Sequence, residues 1–274
     1  MFRGISLHSV VPVRTEAREG AEQETQMLFG EICEIIDKPS DVRSQKSDRW
    51  YRIRLANDGS EGWVDAKMIA PIEGKDYTAY KKAYASAATV AYPMTYAVSE
   101  NNGQTIPLTA GTRLTNYANG QFELLGVRFR IDPNMVITSP LPMDEQHLLQ
   151  TVRFFLNIPY LWGGKNAMGM DCSGFTQVIM SLFGKTLPRN ASEQAKQGRA
   201  VNGIEKIKAG DLVFFAHEKE ERITHVGIAI DRERVIHCSG RVKVEKLDKH
   251  GIYSAEQGGY THRLITIKRV VSER

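Results

Sequence analysis

The chain has 274 residues, 42% of them hydrophobic and 25% charged, which is ordinary for a globular protein with room for more than one hydrophobic core. Its formal net charge at pH 7 is +4, and lysines and arginines are interspersed with acidic residues instead of forming a basic block. Nucleic-acid binding is therefore not indicated.

The cysteines and the N-terminus bear on the cellular compartment. Three cysteines without a C-x-x-C pair indicate neither a disulfide framework nor a zinc ribbon, so we expect reduced thiols. No apolar stretch reaches the ~20 residues of a membrane span, and the N-terminus lacks the apolar region of a secretory leader. We expect a cytoplasmic protein, or a periplasmic or extracellular one if a leader was removed from the natural chain.

Short strands separated by turns are predicted for residues 1–72, which we expect to form a small antiparallel barrel. The strand candidates are TQMLFGEICEII (25–36), WYRIRLAND (50–58) and GSEGWVDAKMIAPI (59–72). Residues 73–140 repeat this style more weakly, and a second, atypical β module is predicted there. Its strand candidates are AATVAYP (87–93), TIPLTAGTRLTNY (105–117), FELLGVRFRI (122–131) and NMVITSP (134–140).

A third domain is predicted over residues 141–274. The segment SPLPMDEQ (139–146), with two prolines and acidic residues, marks the boundary, and the helical pattern HLLQTVRFFLN (147–157) follows it. A glycine-rich loop and a second helix come next. The strand candidates after them are GDLVFFA (210–216), ITHVGIAID (223–231), RVIHCSG (234–240) and HRLITIKRVV (262–271). Helices placed ahead of an antiparallel sheet predict an α+β domain.

The second helix of this domain places a cysteine at its start. An apolar stripe with the spacing of an amphipathic helix ends before Gly184. The stripe consists of Phe175, Val178, Ile179 and Leu182. Asp171 stands at the expected N-cap and Cys172 in the first turn, where backbone N–H groups and the helix dipole face the sulfur. Such a position can lower the pKa of a thiol from ~8.5 to ~3.5–7.5, so we expect much of Cys172 to be a nucleophilic thiolate at neutral pH.

Two histidines lie in neighbouring strand candidates joined by the polar turn DRER (231–234). His225 and His237 are nearly symmetric about Asp231, so a hairpin centred there places them directly opposite each other, with Cβ atoms ~4.5–5.5 Å apart. This prediction depends on the turn, because a slip of one residue would put them on opposite faces. Together with Cys172 they would supply a nucleophile, a general base and an orienter for that base.

Other kinds of site fit the sequence less well. A metal site would have to use ligands without compact spacing, namely His217, His225, His237 and Cys238. The tripeptide GKT (184–186) has Ile179 where a phosphate-binding loop requires glycine, and no G-x-S-x-G is present. We therefore expect neither a metal nor a cofactor.

Six segments resemble, in order and spacing, the NlpC/P60 family of papain-like cysteine peptidases, which cut peptidoglycan peptides. These segments are YLWGG, DCSGF, LPRNASEQ, AGDLVFF, ITHVGIAI and VIHCSG. The resemblance implies that Cys172 is the nucleophile, His225 the base and His237 the residue that orients it. It also implies an oxyanion hole formed by the Cys172 amide and the Tyr160 hydroxyl. Cys238 departs from the family pattern, in which a small alanine is usual.

The N-terminal modules resemble bacterial SH3-type domains, with GWV (62–64) as the main marker. Two such domains before the catalytic one are similar to the arrangement in γ-D-glutamyl-L-diamino acid endopeptidases. The implied fold is α+β: a papain-like NlpC/P60 catalytic domain (141–274) preceded by two small SH3-like β-barrel domains (1–72 and 73–140). The implied reaction is hydrolysis between γ-D-Glu and the diamino acid of stem peptides with a free N-terminal L-Ala, by a monomer.

In that subfamily an SH3-type domain supplies an acidic residue for the substrate's α-ammonium group. The match here is Glu22, with Glu24 and Glu61 as competitors. The other implied substrate-binding residues are Asp171 and Ser173, beside the nucleophile, and Arg189, which would face the substrate carboxylate.

Two other functions stay open from the sequence. The same three residues could carry out amidase or acyl-transfer chemistry on another acyl substrate, or the chain could be a catalytically silent wall-binding protein. The identity of the diamino acid after γ-D-Glu, L-lysine or meso-diaminopimelate, is also open.

Overall fold

A computed structural model describes residues 2–37, 50–217 and 222–271. The chain divides into two compact units, Met1–Ser139 and Pro140–Arg274. Within the described ranges, no helix combines the length and the apolar character that crossing a membrane requires. The division into three domains stays a prediction.

The described residues of the first unit begin with a sheet of seven antiparallel strands. They are β1 (Phe2–Ser6), β2 (Val10–Arg14), β3 (Gln23–Leu28), β4 (Ile32–Asp37), β5 (Trp50–Leu55), β6 (Glu61–Asp65) and β7 (Ile69–Pro71). Their order in the sheet is β3-β2-β6-β5-β4-β1-β7. The predicted strand 25–36 is in fact two strands, because Gly30 takes a φ of +77° and turns the chain between β3 and β4.

A helix that the sequence analysis did not predict, α1 (Gly74–Ala85), follows this sheet. Seven further strands complete the unit: β8 (Ala88–Val90), β9 (Met94–Ser99), β10 (Thr105–Thr109), β11 (Arg113–Leu114), β12 (Gln121–Leu124), β13 (Val127–Ile131) and β14 (Val136–Ile137). They form two small sheets, β10-β9-β13-β12 and β11-β8-β14. The segment 122–131 is a hairpin instead of one strand, since Leu125 and Gly126 have φ values of +50° and +80°.

One hydrophobic cluster joins both parts of the first unit. Ile5 and Phe29 from the first sheet pack in the same cluster as Val90 and Phe129 from the later strands. Phe29 meets Phe129 edge-on, with ring centroids 5.6 Å apart. Residues on the two sides of position 72 therefore share a core.

The second unit contains three helices and nine strands among its described residues. The helices are α2 (Glu145–Val152), α3 (Cys172–Leu182) and α4 (Ala191–Gln194). The strands are β15 (Lys165–Asn166), β16 (Gly169–Met170), β17 (Arg199–Ala200), β18 (Leu212–Ala216), β19 (His225–Ala229), β20 (Arg234–Ser239), β21 (Arg241–Asp248), β22 (Gly251–Ser254) and β23 (Gly259–Arg269).

The main sheet of this unit closes on itself. Its strand order is β17-β23-β18-β19-β20-β21-β22, and β22 also pairs with β23. The six strands β18–β23 therefore form a closed ring of antiparallel neighbours, the barrel of this unit. The four predicted strands correspond to β18, β19, β20 and β23, whereas β21 and β22 were not predicted.

Helix α3 packs against β19 and β20 on the outside of the barrel. Its predicted apolar stripe is confirmed, since Phe175, Val178, Ile179 and Leu182 are all buried. The helix ends before Gly184, which takes a φ of +76° as a C-terminal glycine commonly does. The backbone N–H of Val226 on β19 donates a hydrogen bond to Cys172, so the first turn of α3 lies beside the strand that carries His225.

Candidate active site

Cys172 is the first residue of α3, as predicted. At the N-cap, Asp171 accepts hydrogen bonds from the backbone N–H of Gly174 at 2.7 Å and from that of Gly163 at 2.9 Å. A Cβ at Gly174 would stand 2.2 Å from the Gly164 carbonyl oxygen, so glycine is required there. The cap and the glycine loop together fix the backbone of Cys172.

The surroundings of the Cys172 sulfur differ from the prediction. Burial of the side chain, followed by the negative charge of Asp171, raises the pKa of the thiol to about 11. The backbone N–H groups of Val226 and Ser173 and the guanidinium of Arg189 lower this pKa without cancelling the increase. The prediction of a thiolate at neutral pH is wrong, because removal from water outweighs the helix start. The site holds a thiol that needs a base.

Three predicted substrate contacts, Asp171, Ser173 and Arg189, form one buried network. Arg189 Nη1 donates to Asp171 Oδ1 at 3.0 Å and to Ser173 Oγ at 2.8 Å, and Nη2 pairs with the second Asp171 oxygen. A bidentate guanidinium holds a carboxylate in one orientation. The network therefore fixes the start of α3, and direct contact of these side chains with a substrate stays a prediction.

Gln194, which the sequence analysis did not single out, ties the segment around Arg189 to α3. Its side chain accepts a hydrogen bond from Thr176 at 2.8 Å. It also donates to the carbonyl oxygens of Ser173 at 3.1 Å and Pro188 at 2.9 Å. A fully buried amide with these three partners holds Arg189 in reach of Asp171.

The two predicted histidines meet inside the second unit. His225 opens β19, His237 lies in β20, and both are buried. His225 Nε2 and His237 Nδ1 are 2.8 Å apart, with the rings nearly perpendicular at 87°. Burial, followed by the neighbouring His237 and His262, holds the pKa of His225 well below its usual range. Burial also lowers the pKa of His237. Both rings are therefore neutral at pH 7, so an imidazole nitrogen is available as a base.

The histidines are diagonal neighbours instead of directly opposite residues, which corrects the predicted register. His237 faces Gly227 in the ladder, so the hairpin is centred at residue 232. The Asp231 side chain accepts a hydrogen bond from the Glu233 N–H at 2.8 Å. This hydrogen bond places the turn after Asp231, the predicted centre of the hairpin. Relative to the predicted pairing the shift is two residues, an even number, so His225 and His237 still share a face.

A charged pair beyond His237 was missed by the sequence analysis. His237 Nε2 is 2.9 Å from Glu245 Oε2, and Lys243 Nζ is 3.2 Å from Glu245 Oε1. Burial raises the pKa of the Glu245 carboxyl, but hydrogen bonds, that from His237 first, outweigh this and lower it to about 2. Both charged residues belong to β21, whose alternation RVKVEK is the signal that could have predicted a strand beside β20.

His262 on β23 packs against the ring of His225. The two rings are stacked, with centroids 4.2 Å apart and an interplanar angle of 29°. Burial, followed by the neighbouring His237, lowers the pKa of His262 to about 4. Phe215 of β18 lies 6.0 Å from the His225 ring. This neutral aromatic environment favours the uncharged form of His225.

The alternative of a metal site has no support in the described part of the chain, where no group of three or more His, Cys, Asp or Glu side chains could hold a metal ion. Cys238 instead donates its S–H to the Met170 carbonyl oxygen at 3.1 Å. All three cysteines of the chain are free.

Tyr160, the predicted oxyanion donor, has a partly exposed side chain. Burial, followed by the neighbouring Cys172 and Asp171, raises the pKa of its phenol. The hydroxyl therefore stays protonated at any pH at which the site works, and a protonated phenol can donate a hydrogen bond.

The predicted amine-binding acids lie in the first unit. Glu22 and Glu24 are exposed. Glu61 is already paired, at 2.6 Å with Arg54 and at 3.1 Å with Arg52. This pairing makes Glu61 the weakest of the three candidates for a substrate ammonium group.

Two segments of the chain match known family models. Residues 157–263 match the NlpC/P60 family, and residues 13–69 match the bacterial dipeptidyl-peptidase SH3 domain. The first match spans the cysteine, both histidines and Glu245. The second spans β3 to β6 of the first sheet.

Known proteins match over most of the chain. This chain is 36% identical over 264 residues to the gamma-D-glutamyl-L-lysine dipeptidyl-peptidase of Bacillus subtilis (strain 168). The aligned region covers 91% of this chain and 82% of that protein. A protein of the same name from Bacillus cereus is 28% identical, over 78% of this chain and 66% of its own length. A crystal structure of an NlpC/P60 family protein from Bacillus cereus shares the fold, with a TM-score of 0.79, 20% identity, and coverage of 98% of this chain and 100% of that one.

Proposed function

The chain belongs to the NlpC/P60 family of cysteine peptidases that act on peptidoglycan peptides, and from this premise we propose that it hydrolyses the bond between γ-D-glutamate and the following diamino acid. Two of its relatives are named for the γ-D-glutamyl-L-lysine bond, which makes an L-lysine peptide the first substrate to test. The observation that carries the proposal is the hydrogen-bonded pair of His225 and His237 beside the helix that begins with Cys172.

In the proposed acylation step, Cys172 Sγ attacks the γ-carbonyl carbon while the thiol proton passes to His225. The resulting oxyanion accepts hydrogen bonds from the Cys172 amide and the Tyr160 hydroxyl. The carbon–nitrogen bond then breaks, and His225 returns the proton to the departing amine. A thioester on Cys172 remains.

Deacylation restores the enzyme by the reverse sequence of proton transfers. Water attacks the thioester and gives one proton to His225. The carbon–sulfur bond breaks, the γ-D-glutamate carboxylic acid leaves, and the sulfur of Cys172 recovers its proton. Because burial favours the neutral thiol and the neutral imidazole, both partners return to uncharged forms after each cycle.

The substrate-binding residues are proposed from the resemblance, each within its own unit. Glu22 receives the α-ammonium group of the N-terminal L-Ala, because it is exposed whereas Glu61 is paired with arginines. Asp171 and Ser173 flank the nucleophile and are proposed to contact the L-Ala-γ-D-Glu portion. Arg189, proposed from the resemblance to face its free carboxylate, is already paired with Asp171 and Ser173, so any carboxylate contact would be in addition to that network. A monomer without a cofactor accounts for this chemistry.

The test is turnover of purified L-Ala-γ-D-Glu-L-Lys and of its meso-diaminopimelate counterpart by wild type and by Cys172→Ala. We expect release of L-Ala-D-Glu by the wild type and a loss of at least about 10⁴-fold in the variant, because no other group supplies the nucleophile. Cys238→Ala is the matched control, since it removes a buried thiol that donates only to a backbone carbonyl. Full cleavage by Cys172→Ala would refute the assignment.

Mass spectrometry of the products separates the alternatives. Acyl transfer would give an L-Ala-D-Glu adduct when an amine acceptor is added, whereas hydrolysis gives the free acid. A wall-binding protein without activity would bind insoluble sacculi and leave both soluble tripeptides intact.

A further inference from the structure

Three side chains of the barrel form a hydrogen-bonded series that ends at the proposed base. Glu245 Oε2 is 2.9 Å from His237 Nε2, and His237 Nδ1 is 2.8 Å from His225 Nε2. The two histidines are buried, and the Glu245 side chain is only 8% exposed. A series so well shielded from water has little freedom to exchange its hydrogen bonds with solvent.

The chemistry at one end decides the direction of every hydrogen bond in this series. An ionised Glu245 carboxylate can only accept, so His237 Nε2 must donate to it. A neutral His237 then has a lone pair on Nδ1, which requires His225 Nε2 to donate in turn. This leaves the lone pair of His225 on Nδ1. The carboxylate therefore determines which nitrogen of His225 can take a proton.

We propose that Glu245 is a positioning residue, which fixes the tautomers of His237 and His225 and stabilises the imidazolium that forms at His225 during catalysis. The stabilisation of the imidazolium rests on the proposed function, whereas the control of the tautomers does not. In the step itself the S–H bond of Cys172 breaks, an N–H bond forms at His225 Nδ1, and the positive charge stays on His225. Glu245 remains ionised throughout and takes no proton.

Groups from several strands of the barrel act on the charge of His225. Burial, His237 of β20, His262 of β23 and Lys243 of β21 all disfavour the imidazolium, and so does His217. Phe215 of β18 supplies an apolar face. Glu245 acts in the opposite sense. It is the next member of the hydrogen-bonded series after His237, and its negative charge raises the pKa of His237.

Lys243 holds the carboxylate in the orientation that this role needs. Its Nζ lies 3.2 Å from Glu245 Oε1, which directs the other oxygen at His237. Lys243 is also 3.7 Å from Glu256, an exposed residue that pairs with Arg241. Glu256 therefore offers a matched control: the same carboxylate near the same lysine, outside the series.

The kinetic test compares Glu245→Gln, Glu245→Asp and Glu256→Gln over about pH 4 to 9. Glu245→Gln should lower kcat by about 10- to 100-fold with little change in KM, because the transition-state imidazolium loses its counter-charge. The acidic limb of kcat/KM should move down by about 1 to 3 pH units, since removing a nearby negative charge lowers a histidine pKa. Glu245→Asp should recover part of kcat and keep the limb near its wild-type position.

Glu256→Gln should match the wild type both in kcat and in the position of the acidic limb of kcat/KM. A simple loss of structure in Glu245→Gln would lower kcat at all pH values without moving the acidic limb, and its thermal unfolding would report that loss directly. An unshifted limb with wild-type kcat in Glu245→Gln would overturn the proposal.

The tautomers themselves are tested without turnover, by ¹⁵N-edited NMR of the histidine rings in the wild-type protein. We expect Nε2–H with an unprotonated Nδ1 at both His225 and His237, and a change of this pattern in Glu245→Gln. A wild-type His225 protonated on Nδ1 would refute the proposal whatever the substrate is. If the tripeptides are not cleaved, the proposed function fails while this NMR result still decides the role of Glu245.

Discussion

The thiol of Cys172 and the imidazole of His225 are both held in their neutral forms, and burial is the main cause in each case. It raises the pKa of the sulfur and lowers that of the ring. Proton transfer is therefore expected to accompany attack on the substrate instead of preceding it. A neutral Cys172–His225 pair also avoids the cost of burying a further ion pair beside that of Asp171 and Arg189.

Alkylation of Cys172 measures this state. We expect its rate with iodoacetamide to keep rising up to about pH 10, because a thiol with a pKa of about 11 gains thiolate over that whole range. Mass spectrometry of the Cys172 peptide gives the rate, and circular dichroism at each pH checks the fold. Glutathione serves as the unperturbed reference. A plateau below about pH 8 would instead reveal a preformed thiolate.

The sequence locates the proposed catalytic residues better than it predicts their protonation states. Cys172, His225 and His237 stand in local motifs that can be read along the chain. The pKa of Cys172 depends on burial by barrel strands about 50 residues away. Glu245 was missed for the same reason, since its role arises only from the pairing of β21 with β20.

Among the elements, α3 and the β19–β20 hairpin show where sequence patterns succeed and fail. The helix was predicted because its cap, stripe and terminal glycine are all local signals. The hairpin register was wrong because it depends on the turn near Asp231, where several two- to four-residue connections fit the same sequence. Helix α1 was missed because its core-facing side consists of tyrosines, Tyr77, Tyr80 and Tyr84, of which only Tyr80 is buried, so its apolar stripe is weak.

The corrected register predicts a strict requirement for glycine at position 227. A Cβ there would lie 2.6 Å from Val235 Cγ2 and 3.0 Å from His237 Cβ. We expect Gly227→Ala to destabilise the protein by about 1–3 kcal/mol and to reduce peptidase activity, because His237 must shift away from His225. Denaturant unfolding and tripeptide turnover measure the two effects.

Gly259, at the start of β23, provides the control for this substitution. No atom lies within 4 Å of a Cβ built there, so Gly259→Ala should leave stability and turnover near wild type. Equal behaviour of the two alanine variants would mean that the β19–β20 packing does not position His237.

For the molecule as a whole, the α+β catalytic unit behind an SH3-type region was predictable from motif order, but barrel closure was not. The strands β21 and β22 of the ring carry many polar residues, and the ring closes through the pairing of β18 with β23, two strands that lie far apart in the sequence. The shared core of the first unit, which joins residues such as Phe29 and Phe129, is equally non-local.

Recognition of the free N-terminal amine is the part of the proposed function that rests on Glu22. We expect wild type to prefer L-Ala-γ-D-Glu-L-Lys over its N-acetylated form, and Glu22→Gln to raise KM for the free amine by about 10- to 100-fold, since a charge-assisted hydrogen bond is lost. Steady-state kinetics on both peptides measures the preference. Glu24→Gln, which removes an exposed acid two residues away, should keep the wild-type preference. Equal rates for the free and acetylated peptides would exclude a role for Glu22.

The closed ring of β18–β23 also limits how any ligand can approach the catalytic unit. Many peptidases and peptide-binding modules take an extended peptide as an extra strand along an open sheet edge. Here each ring strand has a neighbour on both sides, so its backbone groups are already engaged. A ring of this kind cannot select a ligand by main-chain pairing and must rely on side chains and loops. A γ-linked peptide with D-residues has a backbone spacing that does not fit a β-ladder, so the closed ring does not weaken its binding. An ordinary unfolded polypeptide, in contrast, cannot bind this ring by adding a strand.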